Sequence, residues 1–403
     1  MTRAMEDIPI QEHLDESPSP QTPKNRIRWV SIIWAFVAIL FVGNLVLVIS
    51  SSLGAETDPS GSLRQRVEAD KAAFDRLSFW QKLLRGEEND MPPLLTSHFD
   101  GLPIDPEYSE SVVSVMIDNF VTARPQHTGI RAASVVYEAL VEGGITRLML
   151  VFPYQELDRV GPVRSARDYF VDFAEAHGGV YVHAGGSPSS LEKLWGSDRL
   201  LNLDEADADI QISGHSYSFR DLKYDAPHNL FFDLLMVREY ADSLKWPHHA
   251  NGDDWCFEEK TPEGGLPVSQ LDLNFSNDVN SSYYAQFRYD EESRTYKRYY
   301  GKTSPSPHID QGAGLQIAPR NIIVKIAPST LIPGDEKERL SMSDIGSGTM
   351  QYYRDGRKWS GTWKKTSESQ ATQFRNEAGQ ALCLAPGQTW IAIVDDEGLM
   401  IEE

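Results

Sequence analysis

A chain of 403 residues, 40% hydrophobic and 10% aromatic, has room for two packed globular domains plus extensions and is too apolar for a disordered chain. Its formal net charge of −21 argues against nucleic-acid binding, which needs a basic stripe to displace counterions, and against attraction to an anionic membrane surface. The same charge suffices as a solubilising coat.

Residues 1–28, with the stretch SPSPQTPKN, read as a polar, disordered tail. Residues 29–50 form an uncharged run of 22, WVSIIWAFVAILFVGNLVLVIS. As a helix it spans ~33 Å at ~1.5 Å per residue, which matches a bilayer core. It is too long for the apolar part of a cleaved signal. Lys24, Arg26 and Arg28 abut its start, whereas Glu56 and Asp58 follow its end. Cations flanking a span stay on the cytoplasmic side, so the expected topology is a single pass, N-terminus in the cytoplasm and residues 51–403 outside. Residues 51–100 are expected to be linker and stalk, with a helix over 62–85 that Pro92-Pro93 close off.

Strand and helix patterns alternate over 101–248. VVSVMID (112–118), VVYEALV (135–141), ITRLMLVF (145–152) and VYVHAGG (180–186) are expected strands. SARDYFVDFAEAHG (165–178) and NLFFDLLMVREYADSL (229–244) are expected helices, and Ser187-Pro188 opens another with serine as N-cap. Over 262–398 short strand-like runs separated by Gly, Asp, Asn and Pro predominate. The expected fold is therefore an α/β N-terminal exported domain, then a mostly-β C-terminal domain, with one N-terminal transmembrane helix. Cys256 and Cys383 are far apart and in no metal-ligand spacing, so no metal site is expected. They are able to pair outside the membrane, but two unrelated small buried side chains is the simpler reading.

Polar residues concentrate at expected strand ends. Asp118, Glu142 and His183 are the candidate catalytic acids or bases. Asn119, Arg124, Glu138, Arg147, Arg164, Ser165, Arg167, Gly185, Gly186, Ser187, His228 and Asn229 are candidate ligand contacts. Open α/β sheets bind ligands beyond the carboxyl ends of their strands, and the turn HAGGSP would present backbone N–H groups to an anion clamped by the arginines. The bland alternative is a plain glycine turn with arginines paired to acids. Glu138 and Glu142 would stand ~13 Å apart on one strand, too far to work as a carboxylate pair. The tyrosines and tryptophans of the second half, such as Tyr283, Tyr300, Trp359 and Trp390, suit either core packing or a platform for sugars or proteins.

VMIDNFVTARPQHTGIRAASVVYEALVEGGITRLMLVF, GPVRSARDYFVDFA, YVHAGGSP and APHNLFFD resemble the N-terminal domain of the YerB-like family of bacterial lipoproteins. GSGTMQYYRDGRKWSGTWKK and LAPGQTWIAIV resemble its C-terminal domain. The resemblance implies an exported, envelope-tethered protein with domains of unknown function, and supplies no reaction or cofactor. The chain departs from the family in carrying an apolar run where lipoproteins carry a lipidated cysteine. The expected role is binding or processing an anionic cell-wall ligand, peptidoglycan or a related polymer. The alternative is a non-catalytic scaffold that docks an envelope protein partner through the β-rich domain. The sequence leaves open whether the chain is an enzyme.

Overall fold

The computed structural model describes residues 95–104, 112–153, 157–205, 211–212, 215–246, 255–275, 282–396 and 399–403. The expected tail, membrane span at 29–50 and stalk helix at 62–85 lie outside the described residues. Residues 92–403 form one compact unit.

The N-terminal part is mixed α/β. Strands β1 (Val112–Ile117), β2 (Val135–Leu140), β3 (Thr146–Pro153), β4 (Gly179–His183) and β5 (Leu200–Asp204) alternate with helices α1 (Asp168–His177) and α2 (Pro188–Gly196), and helix α3 (Leu234–Ser243) follows. The rest is mostly strand: β6 (Gln270–Asn274), β7 (Tyr284–Asp290), β8 (Thr295–Tyr300), β9 (Asn321–Ile326), β10 (Gly346–Arg354), β11 (Arg357–Lys365), β12 (Thr389–Val394) and β13 (Met400–Glu402), with shorter pieces between them. The expected helix over 229–244 starts late. Leu230–Phe232 is a strand paired with Ser218–Arg220, as its aromatics favour, and Asp233 then caps α3 by accepting from the N–H groups of Leu235 and Met236.

Both parts share one eleven-stranded sheet, in the order Leu266–Pro267, β11, β10, β9, β12, β2, β3, β1, β4, β5, with Gln373–Asn376 added to β11. The seam is the parallel pairing of β12 with β2, which sets Thr389 opposite Val135 and Ala392 opposite Glu138. The central strands are apolar almost throughout because both faces are covered. On one face Val115, Ile117, Leu148 and Leu150 pack into the same core as Leu271, Leu273 and Phe287 of a five-stranded antiparallel sheet built from β6, β7, β8, β13 and Ser306–Pro307. On the other, Met116, Met149 and Val151 pack with Phe170 and Phe173 of α1.

Cys256 and Cys383 form a disulfide, which corrects the reading of two unrelated cysteines. Two short parallel strands, Cys256–Phe257 and Cys383–Leu384, bring their Cα atoms to 4.4 Å, inside bonding range. Most of the second half's aromatics are core: Trp390, Tyr284, Trp363, Tyr300 and Tyr283 are all buried.

Between the two sheets lies a dry polar network. Glu138 of β2 and Arg298 of β8 are both 0% exposed. Arg298 Nη2 donates to both carboxylate oxygens, at 2.8 and 2.9 Å. Trp390 Nε1 and the Thr146 hydroxyl donate to the same carboxylate, at 3.1 and 3.0 Å. Arg298 Nη1 is 2.8 Å from His308 Nδ1. A guanidinium can only donate, so Nδ1 accepts and the His308 proton sits on Nε2. Nε2 then donates to His127 Nδ1 at 2.7 Å, and His127 Nε2 donates to the Asp118 carbonyl at 2.7 Å. Both rings are neutral in this chain of bonds. Burial holds His127 down at about 4 and His308 well below the usual histidine range, and nearby Arg298 acts in the same direction on both.

Removing one partner of the dry pair strands the other charge. Arg298→Met should lower the unfolding free energy by ~3–5 kcal/mol in urea titrations. Adding Glu138→Gln should recover part of that loss; an undiminished loss in the double variant would show that the pair itself does not matter. The histidines predict an acid sensitivity. The folded pKa of His127 lies below the ordinary 6.5, so the unfolded chain binds more protons between about 6.5 and about 4. Stability from this ring is complete above that window and is lost as pH falls through it. The unfolding free energy of wild type minus that of His127→Gln should shrink by roughly 2–3 kcal/mol from pH 7 to pH 4. A pH-independent difference would contradict the neutral buried ring.

Candidate functional site

The sheet places the candidate residues at one end. β1, β2 and β4 finish there and β3 starts there, so Asp118, Glu142, Arg147 and His183 all lie at the same rim. The structure divides them into three groups and leaves Glu138 and Asn119 in the dry network below.

The first group is a corner at the end of β1. The Asp118 amide donates to the Pro162 carbonyl at 2.8 Å, and its Oδ1 accepts from the Phe120 amide at 2.9 Å. These two bonds fix the carboxylate. Its Oδ2 lies 2.7 Å from His228 Nδ1 and 3.3 Å from Arg164 Nε. A carboxylate accepts, so His228 Nδ1 carries a proton, and Nε2 is the ring nitrogen left to face a ligand. The ring is stacked on Phe120 with centroids 5.3 Å apart and planes within 5°. The loop that carries His228 is held by Asn229, whose amide donates to the Tyr224 carbonyl at 3.0 Å and accepts from Arg220 at 2.7 Å. Arg164 is set by backbone pairing, its amide on the Met116 carbonyl and its carbonyl under the Ala184 amide. Its side chain is 29% exposed, and its Nη1 and Nη2 have no partner among the described residues.

The second group is an ion pair. Arg167 Nε donates to Glu142 Oε2 at 2.9 Å, and its Nη2 grips Oε1. Burial raises the Glu142 carboxyl, but the bonds and charge of Arg167 outweigh it and hold the group well below the usual carboxylate range. Arg147 lies beside them, buried, with Nη1 on the Ser165 carbonyl at 2.7 Å. Burial and the neighbouring Arg167 push it down to about 10.

The third group is the glycine turn. Gly185 adopts φ +64°, and a Cβ on Gly186 would meet Ser190 Oγ at 2.6 Å, so both positions need glycine. The turn's donors meet carboxylates of the chain itself: Gly185 N–H donates to Asp204 at 2.7 Å and the Ser187 hydroxyl to Asp168 at 2.7 Å. Ser187 also caps α2 as expected, accepting from Ser190 N–H. Both ring nitrogens of His183 are engaged, Nδ1 with the Gly185 carbonyl at 2.8 Å and Nε2 with Asn202 at 2.5 Å.

Arg124 stands apart, its guanidinium 3.8 Å over the Tyr300 ring and donating to the Ser282 carbonyl at 2.7 Å. Burial lowers its pKa. Asn119, next to Asp118, turns inward and accepts from the Tyr300 hydroxyl at 2.7 Å. The sequence offered no sign of Phe120 as the stacking partner of His228, beyond its place two residues after Asp118. Among the described residues no group of three or more His, Cys, Asp or Glu is arranged to hold a metal ion.

Of the three groups, only the corner at Asp118 combines an acceptor nitrogen, an orienting carboxylate and a partly exposed cation whose Nη1 and Nη2 have no partner among the described residues. It is suited to hold an anionic group on Arg164 while His228 takes a proton from a neighbouring hydroxyl or water.

Two family descriptions match the chain: "Protein of unknown function (DUF3048) N-terminal domain" over residues 99–247, and its C-terminal counterpart over residues 272–391. The Bacillus subtilis (strain 168) protein named "Putative lipoprotein YerB" is 27% identical over 288 residues, 70% of this chain and 81% of that protein. The crystal structure of YerB from Bacillus subtilis superposes with a TM-score of 0.66 at 25% identity, covering 77% of this chain and 99% of the other. Sequence order, both matched halves and the shared fold agree, and the chain belongs to the YerB-like family, whose two domains have no assigned activity.

Proposed function

We propose that this is a membrane-anchored, extracytoplasmic envelope protein that binds an anionic cell-wall ligand, peptidoglycan or a related glycan polymer, at the corner formed by Asp118, His228 and Arg164. The observation that carries the reading is the free end of Arg164 beside an oriented His228. A ligand carboxylate or phosphate would take Nη1 and Nη2 in a forked, charge-assisted contact. If the ligand is also processed, His228 Nε2 is the proton acceptor and Asp118 the group that orients the ring and steadies its charge. The −21 charge of the chain makes an arginine that shares one acid with His228, and whose Nη1 and Nη2 are unpaired among the described residues, more telling, because acids to neutralise it are plentiful.

The location rests on the 22-residue apolar run and the three cations before it. The disulfide supports it, since such bonds persist in oxidising compartments. A relative named as a lipoprotein fits the same setting, with a lipid in place of the helix as tether.

A second reading, a scaffold that docks an envelope protein, is favoured by a different observation. Glu142 and His183 are committed to partners within the chain, which leaves fewer groups for chemistry.

Topology and binding are tested separately. An alkaline phosphatase reporter fused after Glu403 should be active in intact cells, whereas activity restricted to a reporter that works only in the cytoplasm would reverse the orientation. Full-length protein in detergent should bind purified wall polymer, and Arg164→Ala should weaken that binding by about tenfold, the loss of a charge-assisted contact. Arg167→Ala serves as the contrast, because that guanidinium is held by Glu142. Equal binding by wild type and Arg164→Ala would remove the clamp and leave the scaffold.

A further inference from the structure

Strand β11 carries β10 along one whole edge, from Arg357 to Lys365. Its other edge is shared by two short segments. Leu266–Pro267 lies opposite Arg357 and Lys358, and Gln373–Asn376 lies opposite Gly361 to Lys364. Trp359 and Ser360 are left without a neighbour strand, a gap of ~7 Å at ~3.3 Å per residue. A cleft of about 720 Å³ opens at this gap. We propose that the notch binds the free amino end of a peptide, whose first residue takes the vacant place opposite Ser360. The site shares no residue with the corner at Asp118 and is independent of it.

The turn between β10 and β11 fixes which groups face the notch. Asp355 and Gly356 have φ +52° and +67°, the pattern of a two-residue hairpin turn closed by a hydrogen-bonded pair, here Arg354 with Arg357. Bonded and non-bonded pairs alternate along an antiparallel ladder. Tyr352 and Trp359 are therefore bonded to each other, and Gln351 and Ser360 are not. The Ser360 N–H and C=O point to the other edge instead, as those of Lys358 and Thr362 do toward Leu266 and Arg375. Neither flanking segment reaches Ser360, and no loop backbone bonds its two groups among the described residues. A donor and an acceptor side by side on a sheet edge are what one further peptide residue pairs with.

Both walls are held back from the gap. Arg357 donates to the carbonyls of Gly264 and Gly265 at 2.8 and 2.7 Å, which curls the chain aside before Leu266. Asn376 N–H donates to the Gln380 carbonyl at 2.9 Å and Gln380 N–H to Asn376 Oδ1 at 3.0 Å, which turns the chain away at Glu377. The disulfide ties Cys383, on this wall, to Cys256 beside the wall that carries Glu258. A strand running through cannot enter, because Leu266 and Asn376 already occupy the edge on either side; a chain end needs only one exit. Charge selects which end. Glu258, Glu263 and Glu377 stand exposed around the notch without an ion pair among the described residues, while Lys358 is paired with Glu402. A terminal ammonium would donate to the Ser360 carbonyl in the field of these acids, and the carbonyl of the same residue would accept from Ser360 N–H. A terminal carboxylate would meet three like charges. Half-buried Trp359 and exposed Leu266 offer apolar surface to the first side chain.

Full-length protein in detergent is titrated calorimetrically at about pH 6.5, where an α-amino group is protonated. The probe is alanyl-alanine amide, which should bind saturably below about 10 mM. N-acetyl-alanyl-alanine amide lacks the charge and propylamine lacks the carbonyl. Each should bind at least about fivefold more weakly. Ser360→Pro deletes one N–H without touching the β10 ladder, since proline is tolerated where that group faces away from the paired strand, and should weaken binding about fivefold. Glu377→Gln, exposed on the turn, should weaken it about threefold. Circular dichroism melts show which variants are folded; if Ser360→Pro is not, the two ligand controls and Glu377→Gln decide. No saturable heat with the dipeptide amide, equal binding of either control, or unchanged affinity in a folded variant would overturn the proposal.

Discussion

A carboxylate and a guanidinium that meet where neither is exposed to solvent depend on one another. Glu138 and Arg298 are 160 positions apart, and each would be intolerable in its place without the other. The requirement disciplines everything nearby. Trp390 must reach the same carboxylate from β12, so the register of β12 on β2 is tied to the pair. His308 accepts from the other end of Arg298, and His127 and Tyr300 continue the network outward from His308. The last link is the Asp118 carbonyl. Asp118 thus anchors its backbone in the dry network while its carboxylate faces His228, and the outer corner inherits its rigidity from the inner pair.

The rest of the rim shows how an acidic chain disposes of its cations. Arg167 is neutralised by Glu142, and the donors of the glycine turn by Asp204 and Asp168. The turn has the chemistry of an anion site, with the anion supplied by the fold. Arg164 differs because backbone pairing on both sides fixes where it stands, and Asp118, its nearest acid, is shared with His228.

Much of the architecture was legible because local chemistry was consistent. VVSVMI, VVYEAL and TRLMLVFP are strands over nearly the expected residues, and Ser187-Pro188 starts a helix for the reasons its residue types suggest. The start of α3 was misplaced because an apolar run suits either period, and only Asp233 marks the change. Long-range pairings were out of reach. Nothing local distinguishes Arg298 from its neighbours as the partner of Glu138, or tells Cys256 that Cys383 will lie opposite. The site followed the same rule. Asp118, Arg164 and His228 stood out singly as polar residues at turns, but their convergence depends on how three loops fold over one strand end. His127 and His308 gave no hint of forming a relay.

The parallel seam of β12 against β2 also has a temporal meaning. β2 stays without one neighbour until residues 389–394 have been made, roughly 250 positions later. At ~5–20 residues per second, that wait lasts on the order of ten to fifty seconds. For that interval the nascent first half presents a raw sheet edge, open to mispairing, and cannot close on its own. A chain whose first half has to wait for β12 keeps that edge unpaired for longer, and any partner strand that arrives first competes for it.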